Sequence, residues 1–216
     1  PSKYSSSNRI ATIMGNGVLV GKEAPDFTSG AVLANGEIVD EFNLHSTIKG
    51  KKAVIFFYPL DFTFVCPSEL IAFDHRIDEF KKRGVEVIGV SIDSVFTHNA
   101  WRNTAINDGG IGQVNYPLVA DVKHEICQAY DVEFGDAGVA FRGSFLIGED
   151  GVVYHQVVNH LPLGRNIDEM LRMIDALSFH QEHGEVCPAG WKEGDKGMDA
   201  SPDGVASYLA DNADNL

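Results

Sequence analysis

Two runs, "AVIFFY" at 53–58 and "VEVIGVSI" at 85–92, constrain the fold of this 216-residue chain more than any other feature. Each is apolar over almost the whole length of a strand, as expected of a strand buried in a sheet. Between them Leu70, Phe73, Ile77 and Phe80 recur at helical spacing, with Asp74, Asp78, Lys81 and Lys82 on the other side and Gly84 as a stop. Upstream, Asn35-Gly36 between apolar runs signals a hairpin. Downstream the pattern predicts a helix over 95–106 closed by Asp108-Gly109-Gly110, a short strand in "YPLVAD" and a short helix in "VKHEICQAY". "VAFRGSFLIGEDGVVYHQVV" reads as two strands joined by Asp150-Gly151. Ile167, Met170, Leu171, Ile174 and Leu177 mark a long amphipathic helix from about 165 to 182. This order predicts an α/β layered domain, a mixed central sheet flanked by helices.

That domain is expected over residues 18–182. Residues 183–216 differ in composition, being rich in Gly, Asp and Ala and holding Pro188 and Pro202, and read as a C-terminal arm with one short helix near 202–212. Residues 1–17 read as a loose, Ser-rich leader; the first 22 residues carry Lys3, Arg9 and Lys22 but no acid. An added remnant, a trimmed organelle presequence or an ordinary tail would each fit.

The net charge is −14, which argues against nucleic acid and anionic membrane as partners. No apolar run reaches about 18 residues, so no membrane-spanning helix is expected. The three cysteines are an odd number, none in CxxC spacing, and the chain has no Asn-x-Ser/Thr acceptor. A chain this long does not need disulfide staples. The expectation is a reducing, cytoplasmic setting, or an organelle matrix if the leader is a presequence remnant. There a disulfide would be catalytic rather than structural.

Cys66 raises the sharpest question, because it lies inside "FTFVCPSELIAF", which otherwise reads as core. Pro67 suits the first position of a helix, where its missing N–H is no loss. Cys66 then stands at the helix start, in the field of unpaired N–H groups. Pro59 turns the chain at the strand end and delivers that start to the C-terminal edge of the sheet, where sites gather in α/β folds. On the bland reading Cys66 is a small buried hydrophobe, Thr63 a loop residue and Glu69 a cap. Magnitudes limit what an activated thiol achieves alone. A thiol of pKa about 8.5 is about 3% ionised at pH 7, so full ionisation gains only about 30-fold, and a less basic thiolate is a weaker nucleophile. A fast reaction also needs donors aimed at developing negative charge. Thr63 is the candidate hydroxyl and Arg142 the candidate cation, since an arginine amid the apolar "VAFRGSF" needs an anionic partner if it faces inward. Strand alternation equally allows it to face outward.

Cys187, in the Gly-rich "HGEVCPAGW", is either an incidental thiol or one that condenses with a sulfenic acid on Cys66. Spacing leaves open whether such a pair would form within a chain or between chains. Cys127, in "HEICQAY", reads as packing. His180, His183 and Cys187 have zinc-like spacing, but Gly184 breaks the helix that would align them and no fourth ligand is evident.

"YPLDFTFVCPSEL" resembles the peroxiredoxin signature Pro-x-x-x-Thr-x-x-Cys, here Pro59, Thr63 and Cys66, and "GEVCPAGW" resembles the resolving-cysteine segment of typical 2-Cys peroxiredoxins. The resemblance extends from about Val18 to the C-terminus through "GKEAPDF", "EVIGVSIDS", "FRGSFLI" and "LPLGRNIDEMLR". It implies a thioredoxin-like fold and a thiol peroxidase with no metal or organic cofactor. It further implies a peroxidatic Cys66 shielded by Pro59, with Thr63 positioning the peroxide and Arg142 stabilising thiolate and transition state. Glu69 would orient the arginines, with Arg165 the second of them. Cys187 would be the resolving cysteine, given by the partner of a head-to-tail homodimer, with dimers assembling to a decamer. Hydrogen peroxide and alkyl hydroperoxides would be the substrates. A thioredoxin-type protein or a flavoprotein disulfide reductase would be the electron donor. "GGIG" at 109–112 resembles a segment of the overoxidation-sensitive members, whereas their C-terminal Tyr-Phe is Tyr208-Leu209 here, which implies intermediate sensitivity. A general thiol–disulfide oxidoreductase fails for want of CxxC, since Glu69 stands in the second place. A holdase chaperone ring and a redox relay to partner proteins remain as alternatives.

Overall fold

The computed structural model describes residues 17–216; the leader expected over 1–17 lies outside the described residues save for Gly17. The chain forms two compact units, the first ending at Arg165 and the second running over Asn166–Leu216.

The first unit is built on a seven-stranded mixed sheet in the order β2-β1-β5-β4-β3-β8-β9. Its centre is the pair of runs that dominate the sequence. β3 (Lys52–Phe57) and β4 (Val85–Ser91) lie parallel in continuous register from Lys52 opposite Val85 to Phe57 opposite Val90. All six residues of β3 are buried, which is why its sequence does not alternate. β5 (Leu118–Ala120) continues the parallel set, while β8 (Arg142–Ile147) runs antiparallel to β3 on its other side. β9 (Val153–Asn159) pairs with β8 across the Asp150-Gly151 turn, and β1 (Thr28–Val32) and β2 (Ile38–Asn43) form the expected hairpin at the far edge.

The helices differ from expectation in detail. α1 (Leu44–Ile48) is a single turn capped by Asn43. The helical stretch after Cys66 is two helices, α2 (Cys66–His75) and α3 (Ile77–Lys82), because Arg76 leaves helical geometry at φ −106°, ψ 7°. α4 (Val95–Arg102) stops short of residue 106. The chain then bonds back through Thr104 N–H to Trp101 O and makes one 3-10 turn at Ile106–Asp108. α5 (Glu125–Ala129) is the short helix carrying Cys127. Val139 does not belong to β8. It and Ala140 form β7 (Val139–Ala140), which pairs with β6 (Glu133–Phe134) in a small hairpin.

In the second unit α6 (Ile167–His183) buries Ile167, Met170, Leu171, Ile174 and Leu177, and ends at Gly184, whose φ of +69° closes it. α7 (Pro202–Asn212) carries Tyr208 and Leu209. Between them Val186 and Met198 bridge through two backbone hydrogen bonds of 2.9 and 3.0 Å. Among the described residues no helix is long and apolar enough to cross a membrane.

An aromatic stack fixes α2 on the sheet. The Phe73 ring lies on Phe56 of β3, centroids 4.1 Å apart and nearly parallel, and Tyr116 meets both edge-on. A side chain at Gly89, on the neighbouring strand, would come within 2.9 Å of Phe56, so glycine there gives the ring its place. Removing Phe73 is expected to cost about 3–5 kcal/mol. Urea unfolding of Phe73→Ala measures it, and a loss below about 1 kcal/mol would show that the stack does not hold the helix.

Candidate active site

The site begins where β3 ends. After Phe57 the chain turns through Pro59 and enters α2 at Cys66 with Pro67 in the first turn. Val65, the residue preceding the helix, offers no side-chain cap, so the first N–H groups of the helix keep their field. Cys66 is fully buried.

Arg142 is the first residue of β8, and all six residues of that strand are buried. It faces inward. Its Nη1 donates to Cys66 Sγ at 3.3 Å and to Glu69 Oε1 at 2.6 Å, while Nε donates to the Leu161 carbonyl at 2.7 Å. Glu69, one helical turn after Cys66, is therefore a buried counter-ion rather than a cap. Its other oxygen accepts from Arg165 Nε at 2.6 Å and from the Arg165 backbone N–H at 3.0 Å. Arg165 does not reach the sulfur. It ties Glu69 to the sheet, donating to the Phe57 carbonyl at 2.6 Å, the Gly143 carbonyl at 2.9 Å and Ser144 Oγ at 2.9 Å, with its guanidinium over the Phe56 ring. Burial works against the Glu69 carboxylate, but the charges and hydrogen bonds of Arg165 and Arg142 outweigh it and hold its pKa below the usual range. Two guanidinium charges against one carboxylate leave one positive charge. The guanidinium in contact with the sulfur thus carries charge that Glu69 does not cancel, the sign that favours an anion formed there.

A cavity of about 470 Å³ opens over this point. Pro59, Thr63 and Arg142 line it, with Val139 and Leu161 among its apolar walls. Thr63 Oγ1 donates its hydrogen to the Leu60 carbonyl at 2.8 Å. Toward the cavity it can therefore act only as an acceptor, the role a peroxide O–H needs. The β6–β7 hairpin, which supplies Val139, escaped the reading of the sequence, although "EFGDAGVA" carries a turn signal between two short apolar pairs.

Cys187, in the second unit, is half-buried, and Sγ donates to the Ala176 carbonyl at 3.4 Å. Burial pushes its thiol pKa up, with Arg172 opposing. Cys127 is buried and bonded to the His124 carbonyl, and burial together with Asp121 and Glu133 pushes its thiol far above the ordinary value, as fits packing. His124, Cys127 and Glu133 bring metal-ligand atoms within 4.8 Å of one another, but His124 Nδ1 and Glu133 Oε1 are closed on each other at 2.6 Å, too near to share one ion. The zinc-like trio of His180, His183 and Cys187 is not among such groups in the described residues, and His180 Nδ1 donates to the Glu185 carbonyl at 2.8 Å.

Comparison with known proteins bears on this geometry. The AhpC/TSA family profile matches residues 20–156, and the profile described as the C-terminal domain of 1-Cys peroxiredoxin matches 176–210. Alkyl hydroperoxide reductase C of Helicobacter pylori is 55% identical over 199 residues, covering 92% of this chain and all of the relative. The crystal structure of reduced Plasmodium vivax 2-Cys peroxiredoxin is 46% identical, with a TM-score of 0.86 over 89% of this chain and 99% of that one. A Plasmodium yoelii relative, 48% identical with a TM-score of 0.71 over 79% of this chain and 98% of its own, forms an artifactual octamer when modified at its N-terminus. An α/β sheet of thioredoxin-like form, a cysteine at a helix start held by an arginine, and these matches agree: the chain belongs to the AhpC/TSA family and is a typical 2-Cys peroxiredoxin, a thiol-dependent peroxidase of antioxidant defence.

Proposed function

We propose that Cys66 is the peroxidatic cysteine and Cys187 the resolving one. The contact that carries this reading is Arg142 Nη1, which bonds Cys66 Sγ and Glu69 at once. The Cys66 thiolate attacks one peroxide oxygen; the O–O bond breaks, the sulfur is oxidised to sulfenic acid, and the other oxygen leaves as water or alcohol after taking a proton. Arg142 faces the charge that builds on the oxygens, Thr63 accepts the peroxide hydrogen, and Pro59 shields the sulfur from bulk water. Glu69 fixes the angle of Arg142, and Arg165 fixes Glu69. The apolar walls of the cavity suit the carbon part of an alkyl hydroperoxide as well as hydrogen peroxide.

The Cys187 thiol then displaces hydroxide from the sulfenic sulfur, releasing water and forming a disulfide. We assign this bond to two subunits of a head-to-tail homodimer, with assembly to a ring, by likeness to the family. A thioredoxin-type protein or a flavoprotein disulfide reductase supplies the two electrons that reopen it. With stoichiometric peroxide the wild type is expected to run as a disulfide-linked dimer on a non-reducing gel. Cys66→Ser and Cys187→Ser each abolish that band, and only Cys66→Ser abolishes peroxide consumption in the first turnover. A Cys66→Ser protein that still consumed peroxide would sink the assignment.

The buried Glu69 also has a pH signature. Its folded pKa lies below its ordinary value of 4.5, so the stability it contributes is present above about that pH and is lost as pH falls through the folded value. Glu69→Gln is expected to lower stability at neutral pH by about 3–5 kcal/mol. It is also expected to flatten the acid limb of a stability–pH curve, and an unchanged limb would show that Glu69 is not the group holding the arginines.

A further inference from the structure

Beneath the peroxidatic loop lies a buried polar network that takes no part in the chemistry above. Tyr58 OH donates to Asp61 Oδ1 at 2.7 Å. Asp61 Oδ2 and His98 Nδ1, both fully buried in their side chains, are 2.6 Å apart. His98 Nε2 is 3.0 Å from the Val119 carbonyl, and the Asp61 backbone N–H donates to Asp93 Oδ2 at 2.9 Å. Ser91 Oγ donates to the same Asp93 oxygen at 2.6 Å.

The proton count of this network follows from its partners. A carbonyl only accepts, so His98 Nε2 must carry a hydrogen. Tyr58 OH is 2.7 Å from Asp61 Oδ1 and 3.3 Å from His98 Nδ1, and its hydrogen goes to the nearer Oδ1. The 2.6 Å contact between Nδ1 and Oδ2 then needs one further proton, on His98 as imidazolium or on Asp61 as acid. Without it a ring lone pair faces a carboxylate. The groups that titrate around His98 are Tyr58 at the end of β3, Asp61 in the loop and Asp93 after β4, while β5 presents only the Val119 carbonyl. Burial disfavours a charged His98, yet the bond and charge of Asp61 outweigh it and raise the His98 pKa; burial raises that of Asp61. Both directions mean that the proton is retained on folding and lost as pH rises.

Position gives the network its consequence. Asp61 lies five residues before Cys66, and it is tied to Asp93, just after β4, and to His98 of α4. The next residue changes character. Phe62 adopts φ +57°, a left-handed conformation that an aromatic residue rarely takes, and is half exposed; Phe64 is almost fully exposed. Backbone strain at Phe62 directly after a buried anchor marks where the loop can open.

We propose that the proton shared by Asp61 and His98 latches the peroxidatic loop, making these two positioning residues that set how readily the segment from Phe62 to Cys66 opens. This rests on Cys66 being peroxidatic and having to leave its pocket to meet a second thiol. A strong latch keeps the attacking geometry assembled but holds the sulfenic acid in place, where a second peroxide converts it to sulfinic acid with release of water or alcohol. A weak latch lets disulfide formation win.

Asp61→Ala removes the latch. Asp61→Asn keeps its geometry: the amide donates to Nδ1 of neutral His98 and accepts from Tyr58, but no shared proton remains to be lost. The peroxide dose that turns half of Cys66 to sulfinic acid, read by peptide mass spectrometry, is expected to rise about tenfold in Asp61→Ala, the scale of one charged hydrogen bond. First turnover is expected to slow, and Asp61→Asn should restore both values. As pH rises above 6.5, the ordinary value for His98, the wild type should drift toward the Ala values while Asp61→Asn stays level. Equal doses in all three proteins, or Asp61→Asn matching Asp61→Ala, would overturn the latch. If Asp61→Ala does not fold, the level profile of Asp61→Asn against the drifting wild type still decides. A Cys66→Ser protein without peroxidase activity beside three equal doses would fault the latch alone; one that retained activity would fault the reading of Cys66 beneath it.

Discussion

One carboxylate buried between two guanidinium groups joins the scaffold of this protein to its chemistry. Glu69 accepts from Arg142 at 2.6 Å and from Arg165 at 2.6 Å, and through them α2, the start of β8 and the end of β3 become one rigid body. Leaving any one of these charges without its partner in so dry a site is costly, so the three are expected to hold or fail together. That same demand aims an arginine at a sulfur.

The aromatic packing serves this cluster. Phe56 and Phe73 form the floor on which the Arg165 guanidinium lies, 5.2 and 6.0 Å from their centroids. The stack that docks α2 therefore also excludes water from the ion pairs and strengthens them. On the other side of Cys66 the anchoring is polar instead. Tyr58, Asp61 and His98 hold the loop from below, and Trp101 packs on both Tyr58 and Phe62 at 5.9 Å. Cys66 thus lies between a helix fixed by burial and charge and a short exposed segment. That asymmetry suits the proposed chemistry, in which the sulfur is first held still and then released.

Much of the fold was legible from the chain. The apolar runs became the central strands, Asn35-Gly36 and Asp150-Gly151 became turns, and the helix near 202–212 spans Pro202–Asn212. The misreadings fall where no periodic signal marks the boundary: the break at Arg76, the early end of α4 at Arg102, and the separation of Val139–Ala140 from β8. Each is settled by backbone hydrogen bonds to residues outside the segment or by a local change of dihedral angle. At the site, Pro59, Thr63 and Arg142 line one cavity, Arg142 reaches both Cys66 and Glu69, and Arg165 acts one step removed, through Glu69. Asp61 and His98 were missed altogether, since nothing local separates a buried aspartate from a loop one.

What the sequence by itself determined is therefore local: which segments are strands or helices, that Cys66 opens a helix, and that an arginine amid apolar neighbours needs an anion if it is buried. Periodicity and capping act over a few residues and can be read directly. What only the tertiary structure decided is who meets whom. Arg142 finds Glu69 across 73 residues, Arg165 finds it across 96, and His98 finds Asp61 across 37. Those meetings depend on β3 lying between β4 and β8, which brings the strand ends carrying these groups to one edge of the sheet. Strand order is fixed by the packing of the whole core, and no short stretch of the chain encodes it.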